Sequence, residues 1–374
     1  MSRPQVLSIH ERLPSHPGYT GKGVVLAFVD SGFYPHPDLV QPSRRVRAYV
    51  DVTRDSPSLK DFYAAQPISW HGTMTACCAA GNGYLSGGRY RGLACDAEVV
   101  LIRAADEGRR IRGKHVARAI RLPLLHPELG VKLLNVSVGV ERDDPDADDV
   151  LRAAQEVREA GITIFAAAGN DPSAPPAPPA SSPHVITVGG VDDHNLPEGD
   201  PSLWQSSHGT SRQGLHKPEL LAPAMLLPAP MLPGTAVARE AGPLFQLLSV
   251  LEEASAEQQL SSEMGEPYPE QDTAGVARLM EAVSTRIAYR KYLSPDYQHV
   301  DGTSFAAPIV MSIAAQMLEA NPTLGPADIS DGLMETAVEL AGVEASLQGF
   351  GLVQPRDAVE WALSRRLSLR PEPV

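Results

Sequence analysis

The segment DGTSFAAP, Asp301–Pro308, comes directly before a run of small and apolar residues, Ile309–Ala315. The run has no charge and no polar–apolar alternation, so it predicts a helix that is buried on most of its faces. Pro308 fits only near the first turn, where a missing N–H costs little. The helix therefore begins close to Ser304 and places its hydroxyl beside unpaired N–H groups at the positive helix end. That position suits either an ordinary N-cap or a nucleophile whose substrate oxygen becomes an anion.

Two further motifs help to decide whether Ser304 is an N-cap or a nucleophile. Val24–Gly32 reads VVLAFVDSG and predicts a strand that is buried on both faces, with Asp30 at its carboxyl end. His71–Ala76 reads HGTMTA and predicts a helix that begins at the histidine. The chain order aspartate, histidine, serine, each in a glycine-bearing motif, resembles the subtilisin-like serine proteases, the subtilases. The sequence departs from the family after Met74, where Thr, Ala and Cys replace the usual Val, Ala and Gly.

The resemblance implies a role for each of these residues. Ser304 would attack the scissile carbonyl, His71 would take its proton, and Asp30 would orient the histidine. Asn170, in the segment AAGN, matches the family's side-chain donor to the oxyanion, and the backbone N–H of Ser304 would be the second donor. Each motif alone also fits a turn or a helix start. Because four motifs occur together in family order, we favour catalysis.

The rest of the chain predicts strands that alternate with helices. Apolar runs predict four more strands at residues 98–103, 131–139, 162–170 and 184–190. Helical patterns occur at residues 114–122 and 150–160. Such alternation predicts an α/β fold with a doubly wound, mostly parallel central sheet and helices on both faces. The resemblance covers residues ~18–225 and ~300–360, and we expect one catalytic domain over residues 1–374.

The resemblance also implies where substrate binds. In subtilases the strand that carries Ser137, Val138 and Gly139 pairs with the extended substrate, as an added β-strand. Ala168 and Gly169 would line the adjoining S1 pocket. Asn135, in the same strand, is expected to be a buried structural amide. The implied substrate is a protein or peptide.

Residues 225–300 depart from a compact subtilase. Ala224 and Asp301 are 77 positions apart, more than the family usually needs. The excess predicts an inserted helical pair, with one apolar stripe on Leu244, Leu247, Leu248 and Leu251 after Pro243, and another on Val276, Leu279, Met280, Val283 and Ile287. A polar linker at about 254–272 separates them. We expect the insertion either to restrain activity or dock a regulatory protein, or only to pack over the core and stabilise it.

Composition excludes several classes of protein. The net charge of −13 disfavours nucleic acid and anionic membranes as partners, and no apolar stretch has the length of a membrane span. The first ten residues lack the apolar core of a secretory signal. Three cysteines, two of them adjacent at Cys77 and Cys78, do not form a disulfide framework. These features predict a cytoplasmic protein without a pro-domain.

An acidic cluster precedes the helical pattern at 150–160. It comprises Asp143, Asp144, Asp146, Asp148 and Asp149. Calcium is one interpretation, but aspartates also complement the positive end of a helix without any metal, so we predict no resident metal or cofactor. Cys78 would share a helix face with His71, either as a reactive thiol under the site or, as we favour, as a small core residue.

The combined prediction is an intracellular serine endopeptidase with a Ser-His-Asp triad and an Asn oxyanion hole. Two alternatives stay open. One is a signalling protease with a single dedicated substrate, and the other is a non-catalytic peptide-binding module on the same fold.

Overall fold

The computed structural model describes residues 6–54, 62–197, 199–211, 214–264 and 273–368. Seven strands form a parallel sheet in the order β10-β6-β5-β4-β1-β3-β2. They are β1 (Val25–Asp30), β2 (Val46–Asp51), β3 (Glu98–Arg103), β4 (Leu133–Val136), β5 (Thr163–Ala167), β6 (Ile186–Asp192) and β10 (Leu220–Pro223). The mostly parallel sheet confirms the predicted fold class.

The remaining strands are short. β7 (Ser202–Leu203) runs antiparallel to β6, β8 (Gly209–Thr210) pairs with β9 (His216–Lys217), and β11 (Leu227–Pro230) pairs with β12 (Tyr297–Val300). The helices are α1 (Ile9–Arg12), α2 (Pro37–Val40), α3 (Trp70–Ala80), α4 (Gly113–Leu125), α5 (Ala147–Glu159), α6 (Ala236–Met264), α7 (Thr273–Tyr289), α8 (Thr303–Ala320), α9 (Pro326–Glu335), α10 (Ala345–Gln348) and α11 (Pro355–Ser368).

Strand β1 shows why the sheet carries helices on both faces. Its six residues are all buried. Leu26 and Phe28 join the core cluster that contains α3 and α8, whereas Val25, Ala27 and Val29 join the cluster that contains α4 and α5. A strand with alternate residues in two cores must be apolar throughout, which is the pattern of its sequence.

Helix α8 crosses the core directly behind the sheet. Its residues from Phe305 to Leu318 are buried without a break. It is the one described helix that is apolar and long enough to cross a membrane, but its burial inside the protein accounts for that composition. The predicted buried helix is therefore confirmed, and it starts at Thr303, one residue before Ser304.

The strand order reverses at β1, because β3 and β2 lie on one side of it and β4, β5 and β6 on the other. Open α/β sheets place their sites outside the carboxyl ends of strands at such a switch point. The carboxyl ends of β1, β4 and β5 here carry Asp30, Ser137 and Ala168–Asn170. The fold therefore brings residues that are far apart in sequence to one edge.

Sequence patterns missed two of the seven strands of the parallel sheet, β2 and β10, as well as the short strands outside it. Strand β2 is an edge strand, and four of its six residues are only partly buried or exposed, so its apolar signal is weak. Strand β10 is the four-residue segment LLAP, which ends in proline and is too short for its apolar residues to predict a strand. The strands predicted at 131–139 and 162–170 are shorter in the structure, because their last residues turn away at the edge of the site.

The insertion is a helical pair, as predicted, and it extends the hairpin of β11 and β12. Helix α6 begins earlier than expected, and Pro243 lies inside it rather than before it. Thr235 explains the early start, since its hydroxyl accepts a hydrogen bond from the Ala238 N–H at 3.3 Å, as an N-cap does. Residues 254–264 of the predicted linker are helical, and residues 265–272 lie outside the described residues, as does the tail at 369–374.

A separate apolar cluster holds the two inserted helices together. Leu248, Leu251, Val283 and Ile287 are its buried members from the predicted stripes. Leu247 and Leu279 were expected on the same faces, but they are 39% and 44% exposed. The stripes are therefore narrower than predicted, because each helix packs against a single neighbour.

Candidate active site

Asp30 is fixed at the end of β1, where its side chain is 1% exposed. The backbone N–H of Ser31 donates to its Oδ1 at 2.6 Å, and the Thr75 hydroxyl lies 3.4 Å from its Oδ2. A buried carboxylate needs such donors, since an unpaired charge in the core is costly. The other hydrogen-bond acceptor positions of this carboxylate face α3.

His71 lies in the first turn of α3 and contacts that carboxylate directly. Its Nδ1 is 2.9 Å from Oδ1 and 2.9 Å from Oδ2 of Asp30. Gly72 permits the approach, since a Cβ there would lie 2.4 Å from the Gly32 carbonyl oxygen and 2.8 Å from Asp30 Cβ. The glycine after the histidine is thus required by packing, whatever the function.

The contact with Asp30 sets the protonation of His71. Burial works to lower the pKa of His71, but the charge of Asp30 and the hydrogen bond to it outweigh burial, so this pKa is raised. An Nδ1 that donates to Asp30 leaves Nε2 as the free acceptor on the neutral ring. The histidine side chain is 23% exposed, which leaves the ring accessible from outside.

Ser304 occupies the first turn of α8. The preceding Gly302 has φ 137°, a conformation that favours glycine, and its N–H donates to the Ala224 carbonyl at 2.7 Å. The Ser304 hydroxyl lies 3.5 Å from the carbonyl oxygen of Ser137. The hydrogen bonds of the described residues do not include one from Ser304 to His71. The histidine ring instead packs against Phe305, with ring centroids 5.4 Å apart.

Pro308 lies in the second turn of α8 and frees the carbonyl of Ser304. A residue with an N–H at position 308 would donate to that carbonyl, four residues earlier, but proline has none. The Ser137 hydroxyl donates to the Ser304 carbonyl instead, at 2.8 Å, and accepts from the amide of Asn135 at 2.8 Å. The predicted structural role of Asn135 fits its complete burial.

Asn170 follows β5 and is anchored to α8 through Thr303. Its Oδ1 accepts from the Thr303 N–H at 3.1 Å and from the Thr303 hydroxyl at 2.8 Å. The same hydroxyl accepts from the Gly169 N–H at 3.2 Å. A Cβ on Gly302 would lie 3.5 Å from the amide nitrogen of Asn170 and 3.8 Å from its Oδ1, so the whole amide lies beside that glycine.

The predicted substrate residues lie around these side chains. Gly139 is exposed, Val138 is half-buried and Ser137 is buried, just beyond β4. Ala168 is buried, and Gly169 has φ 108°. The structure therefore brings all nine predicted site residues to one edge of the sheet, and their roles stay predictions.

Sequence patterns did not predict several supporting residues. Thr303 anchors Asn170, as described above, although it stands in the quoted motif beside Ser304. Ser207 supports the turn after β5, since its N–H donates to the Gly169 carbonyl at 2.9 Å and its hydroxyl donates to the Asp171 carbonyl at 2.8 Å. Trp70 stacks edge-on against His71, with ring centroids 5.3 Å apart. Ser207 carries no sequence pattern that separates it from other serines.

The cysteines pack as core residues. Cys77, Cys78 and Cys95 are free and buried, and burial raises the pKa of Cys78 to about 12. Such thiols are poor nucleophiles, because the thiolate is the reactive form. This supports the preferred interpretation of Cys78.

Two groups of side chains have compositions that suit metals. In the acidic cluster, Asp149 pairs with Arg121 through two hydrogen bonds of 2.9 Å, and Asp144 accepts from the Gly113 N–H at 3.2 Å. His36, Asp38 and Cys77 form a second, buried group. Within it, Tyr297 donates to Asp38 at 2.7 Å and the Asp38 N–H donates to His36 at 3.2 Å. Both groups thus have protein partners, and metal binding at the acidic cluster stays untested.

Comparisons with known proteins identify the family of this chain. The model of the subtilase family matches residues 21–352. Serine protease AprX of Bacillus subtilis (strain 168) is 26% identical over 351 residues, which cover 91% of this chain and 67% of AprX. A thermophilic serine proteinase of Bacillus sp. (strain AK1) is 28% identical over 174 residues, 46% of this chain and 39% of that protein.

Solved structures show the same fold. The structure of the prenylagaramide maturation protease PagA superposes with a TM-score of 0.58 and 20% identity, covering 91% of this chain and 93% of that chain. At this identity the likeness concerns the fold alone.

Proposed function

Because this chain belongs to the subtilase family of serine peptidases, we propose that it is an endopeptidase that cleaves peptide bonds through Asp30, His71 and Ser304. One observation carries the proposal. The buried carboxylate of Asp30 holds His71 Nδ1 at 2.9 Å from both oxygens, on the same sheet edge as the start of α8. A histidine oriented in this way presents Nε2 as a general base.

In the proposed reaction, the Ser304 hydroxyl oxygen forms a bond to the carbonyl carbon of the scissile peptide. Its proton passes to His71 Nε2, and Asp30 stabilises the imidazolium that results. The tetrahedral intermediate then collapses, the C–N bond breaks, and the imidazolium gives its proton to the leaving amine. Water repeats the sequence on the acyl-enzyme, with His71 again as base, and releases the acid.

The negative oxygen of the tetrahedral intermediate needs donors that are already in place. The amide nitrogen of Asn170 is one, and the N–H of Ser304 in the first turn of α8 is the other. Thr303 supports this role, because it holds Oδ1 of Asn170 and so turns the nitrogen away from itself.

Substrate would bind in extended form along Ser137, Val138 and Gly139, with its P1 side chain beside Ala168 and Gly169. The exposure of Gly139 leaves its backbone available to a substrate strand. Gly169 leaves room near Ser207, since a Cβ there would lie 2.6 Å from the Ser207 hydroxyl oxygen. A side chain at 169 would therefore displace a residue that supports the pocket.

Labelling with a fluorophosphonate probe, read by intact mass, tests the proposal. We expect one adduct on the wild type and none on Ser304→Ala, with slow labelling of Asp30→Asn. Labelling requires an activated serine, so absence of an adduct on the folded wild type would contradict the proposal and favour the peptide-binding alternative. An adduct retained on Ser304→Ala would place the nucleophile elsewhere.

We also propose that the insertion at 225–300 docks a regulatory or dedicated substrate protein. Apolar side chains are exposed on both inserted helices, including Val250 at 61% and Tyr289 at 75%. Lys291, at the end of the insertion, pairs with Asp301, three residues before Ser304. Through this ion pair, a bound partner acts on the turn that precedes Ser304. Unchanged partner capture and activity in a Val250→Asp, Tyr289→Asp variant would count against this role.

A reducing, cytoplasmic location is proposed on the three free cysteines, all buried. Cell fractionation with a tagged full chain tests it directly. Recovery of the protein outside the cytoplasm would overturn this part of the proposal.

A further inference from the structure

A cavity of about 590 Å³ lies between the insertion and the start of α3. Helix α3 contributes Trp70 and Met74, and the insertion contributes Met231, Leu232 and Val237. Its volume falls within the range of small-ligand and peptide sites, ~300–1,000 Å³. The walls are apolar, and Arg239 and Gln298 supply polar groups. Such a cavity has room for more than one amino-acid side chain.

The cavity shares a wall with the proposed catalytic base. Trp70 lines the cavity and stacks against His71 at a centroid distance of 5.3 Å. Met74 lies one turn further along α3, and the Gln298 amide nitrogen is 3.9 Å from its sulfur. Trp70 is 44% exposed, a large apolar surface for a residue beside an active site. Its exposed surface adjoins the other apolar residues of the cavity wall, and contiguous exposed apolar surface marks binding sites.

The position of the cavity indicates which part of a substrate it receives. The acyl side of a substrate is assigned to residues that follow β4 and β5, and none of these lines the cavity. His71 gives its proton to the leaving amine, so the leaving segment must depart past the histidine. The cavity lies on this flank of His71, among residues of α3 and the insertion.

We propose that this cavity binds apolar side chains of the substrate C-terminal to the scissile bond, and that it sets sequence preference there. The inference rests on the proposed peptidase function. The insertion supplies Leu232, Thr235 and Val237 to the wall, so the preference is specific to chains that carry it.

The charge of Arg239 indicates which substrate groups bind beside the apolar ones. It is exposed and has no ion pair with any residue that the structure describes. A cation at the rim of an apolar cavity attracts a carboxylate through a long-range field. We therefore expect an acidic group, either a side chain or the substrate's C-terminus, next to the apolar residues.

The test compares substrates that differ only after the scissile bond. Cleavage sites are first mapped by mass spectrometry in a denatured protein. One mapped acyl sequence is then joined to Phe-Leu, to Gly-Ser, or to p-nitroaniline, which carries no amino acid. We expect wild-type kcat/KM to be about tenfold or more higher for Phe-Leu than for Gly-Ser, the scale of discrimination by an apolar pocket.

Variants locate the preference in the cavity. Val237→Asp should bring the Phe-Leu to Gly-Ser ratio close to one without changing the nitroanilide rate. Val338→Asp is the matched control, because Val338 is 55% exposed and belongs neither to the cavity lining nor to the insertion. Arg239→Glu, on an exposed position, should favour a lysine over a glutamate next to Phe-Leu by several-fold. This second variant keeps the test valid if Val237→Asp does not fold.

The outcomes separate the two proposals. Cleavage of all three substrates with equal rates for Phe-Leu and Gly-Ser would overturn the cavity proposal and leave the peptidase intact. Equal losses on peptide and nitroanilide in Val237→Asp would also overturn it. No cleavage of any substrate and no fluorophosphonate adduct would remove the peptidase function, and the cavity proposal with it.

Discussion

The hydroxyl of Thr303 donates to Oδ1 of Asn170 at 2.8 Å, and the Thr303 N–H donates to the same oxygen at 3.1 Å. Two donors on one atom fix which end of the amide is oxygen, because the amide nitrogen cannot accept from an N–H. The nitrogen of Asn170 is therefore the end of the amide that Thr303 does not hold. Thr303 is fully buried, so we expect it to position the proposed oxyanion donor without binding substrate itself.

Substitution of these two residues separates donation from positioning. Asn170→Ala should lower kcat by roughly 10²–10³-fold with little change in KM, as loss of an oxyanion donor does. Thr303→Val removes one of two anchoring bonds and should lower kcat by about five- to tenfold, the scale of one hydrogen bond. Thr303→Ser restores the hydroxyl and should recover the activity. Steady-state kinetics on one peptide substrate measure all three, and equal losses in Thr303→Val and Thr303→Ser would refute positioning through the hydroxyl.

The raised pKa of His71 predicts the acid limb of the pH profile. Only the neutral ring acts as a base, so kcat/KM should fall as the pH drops below a pKa that lies above the ordinary histidine value near 6.5. Asp30→Asn removes the charge that raises this pKa. The limb should move to lower pH, and the maximal rate should fall by about 10⁴-fold. A limb that stays in place in Asp30→Asn would mean that another group titrates.

The Asp30–His71 pair also contributes to the stability of the fold. The pH dependence of this contribution follows from the raised pKa of His71. A folded-state pKa above the unfolded value means that the native state binds the proton more tightly. The contribution is therefore complete below the unfolded pKa, and it is lost as the pH rises through the folded pKa. Urea unfolding across this window should show the loss in wild type and a smaller one in Asp30→Asn.

Glycine substitutions at two positions should differ in size. Gly302 has φ 137° before Ser304, so Gly302→Ala should destabilise the fold by about 1–3 kcal/mol and reduce labelling of Ser304. Gly242 lies inside α6, and apart from its chain neighbours and the backbone of the helix itself no atom lies within 4 Å of an added Cβ. Alanine gains about 0.5–1 kcal/mol of helix propensity there, but its Cβ crowds the ring of the following Pro243. Gly242→Ala should therefore change stability by less than about 1 kcal/mol. Thermal unfolding compares the two, and equal stabilities of the two variants would contradict backbone strain at Gly302.

Much of the site was predictable because its residues lie in continuous local patterns. The apolar run before Asp30 and the run after Ser304 specify a buried strand and a buried helix, so their ends could be placed from sequence. The rest depends on long-range packing. The link from Thr303 to Asn170 spans 133 positions, and the hydrogen bond from Ser207 to Asp171 spans 36 positions. No local pattern encodes either contact.

The structure of the insertion was likewise only partly predictable from the sequence. Its helices were predictable from their apolar spacing, but their ends and buried faces were not. The start of α6 depends on the cap at Thr235, and the exposure of Leu247 and Leu279 depends on which neighbour each helix contacts. The cavity beside Trp70 arises only when α3 and the insertion meet, and sequence patterns give no sign of it.

The Ser137 hydroxyl joins the end of β4 to α8. It donates to the Ser304 carbonyl and accepts from Asn135, and it is 5% exposed. Ser137→Ala leaves a buried carbonyl and a buried amide without their partner, so we expect a loss of about 1–3 kcal/mol in the free energy of unfolding. Ser364→Ala is the control, since Ser364 makes a comparable bond on the exposed face of α11 and should change stability by less than about 0.5 kcal/mol.

Pro308 makes this prediction specific. The Ser304 carbonyl depends on Ser137 only because Pro308 has no N–H to offer it. Pro308→Ala supplies that N–H, so the cost of Ser137→Ala should be smaller in the Pro308→Ala background than in the wild type. A double-mutant cycle by urea unfolding measures the difference, which should approach the value of one hydrogen bond, about 1 kcal/mol. Additive effects would show that the carbonyl finds water or another partner, and that Ser137 stabilises the site through Asn135 alone.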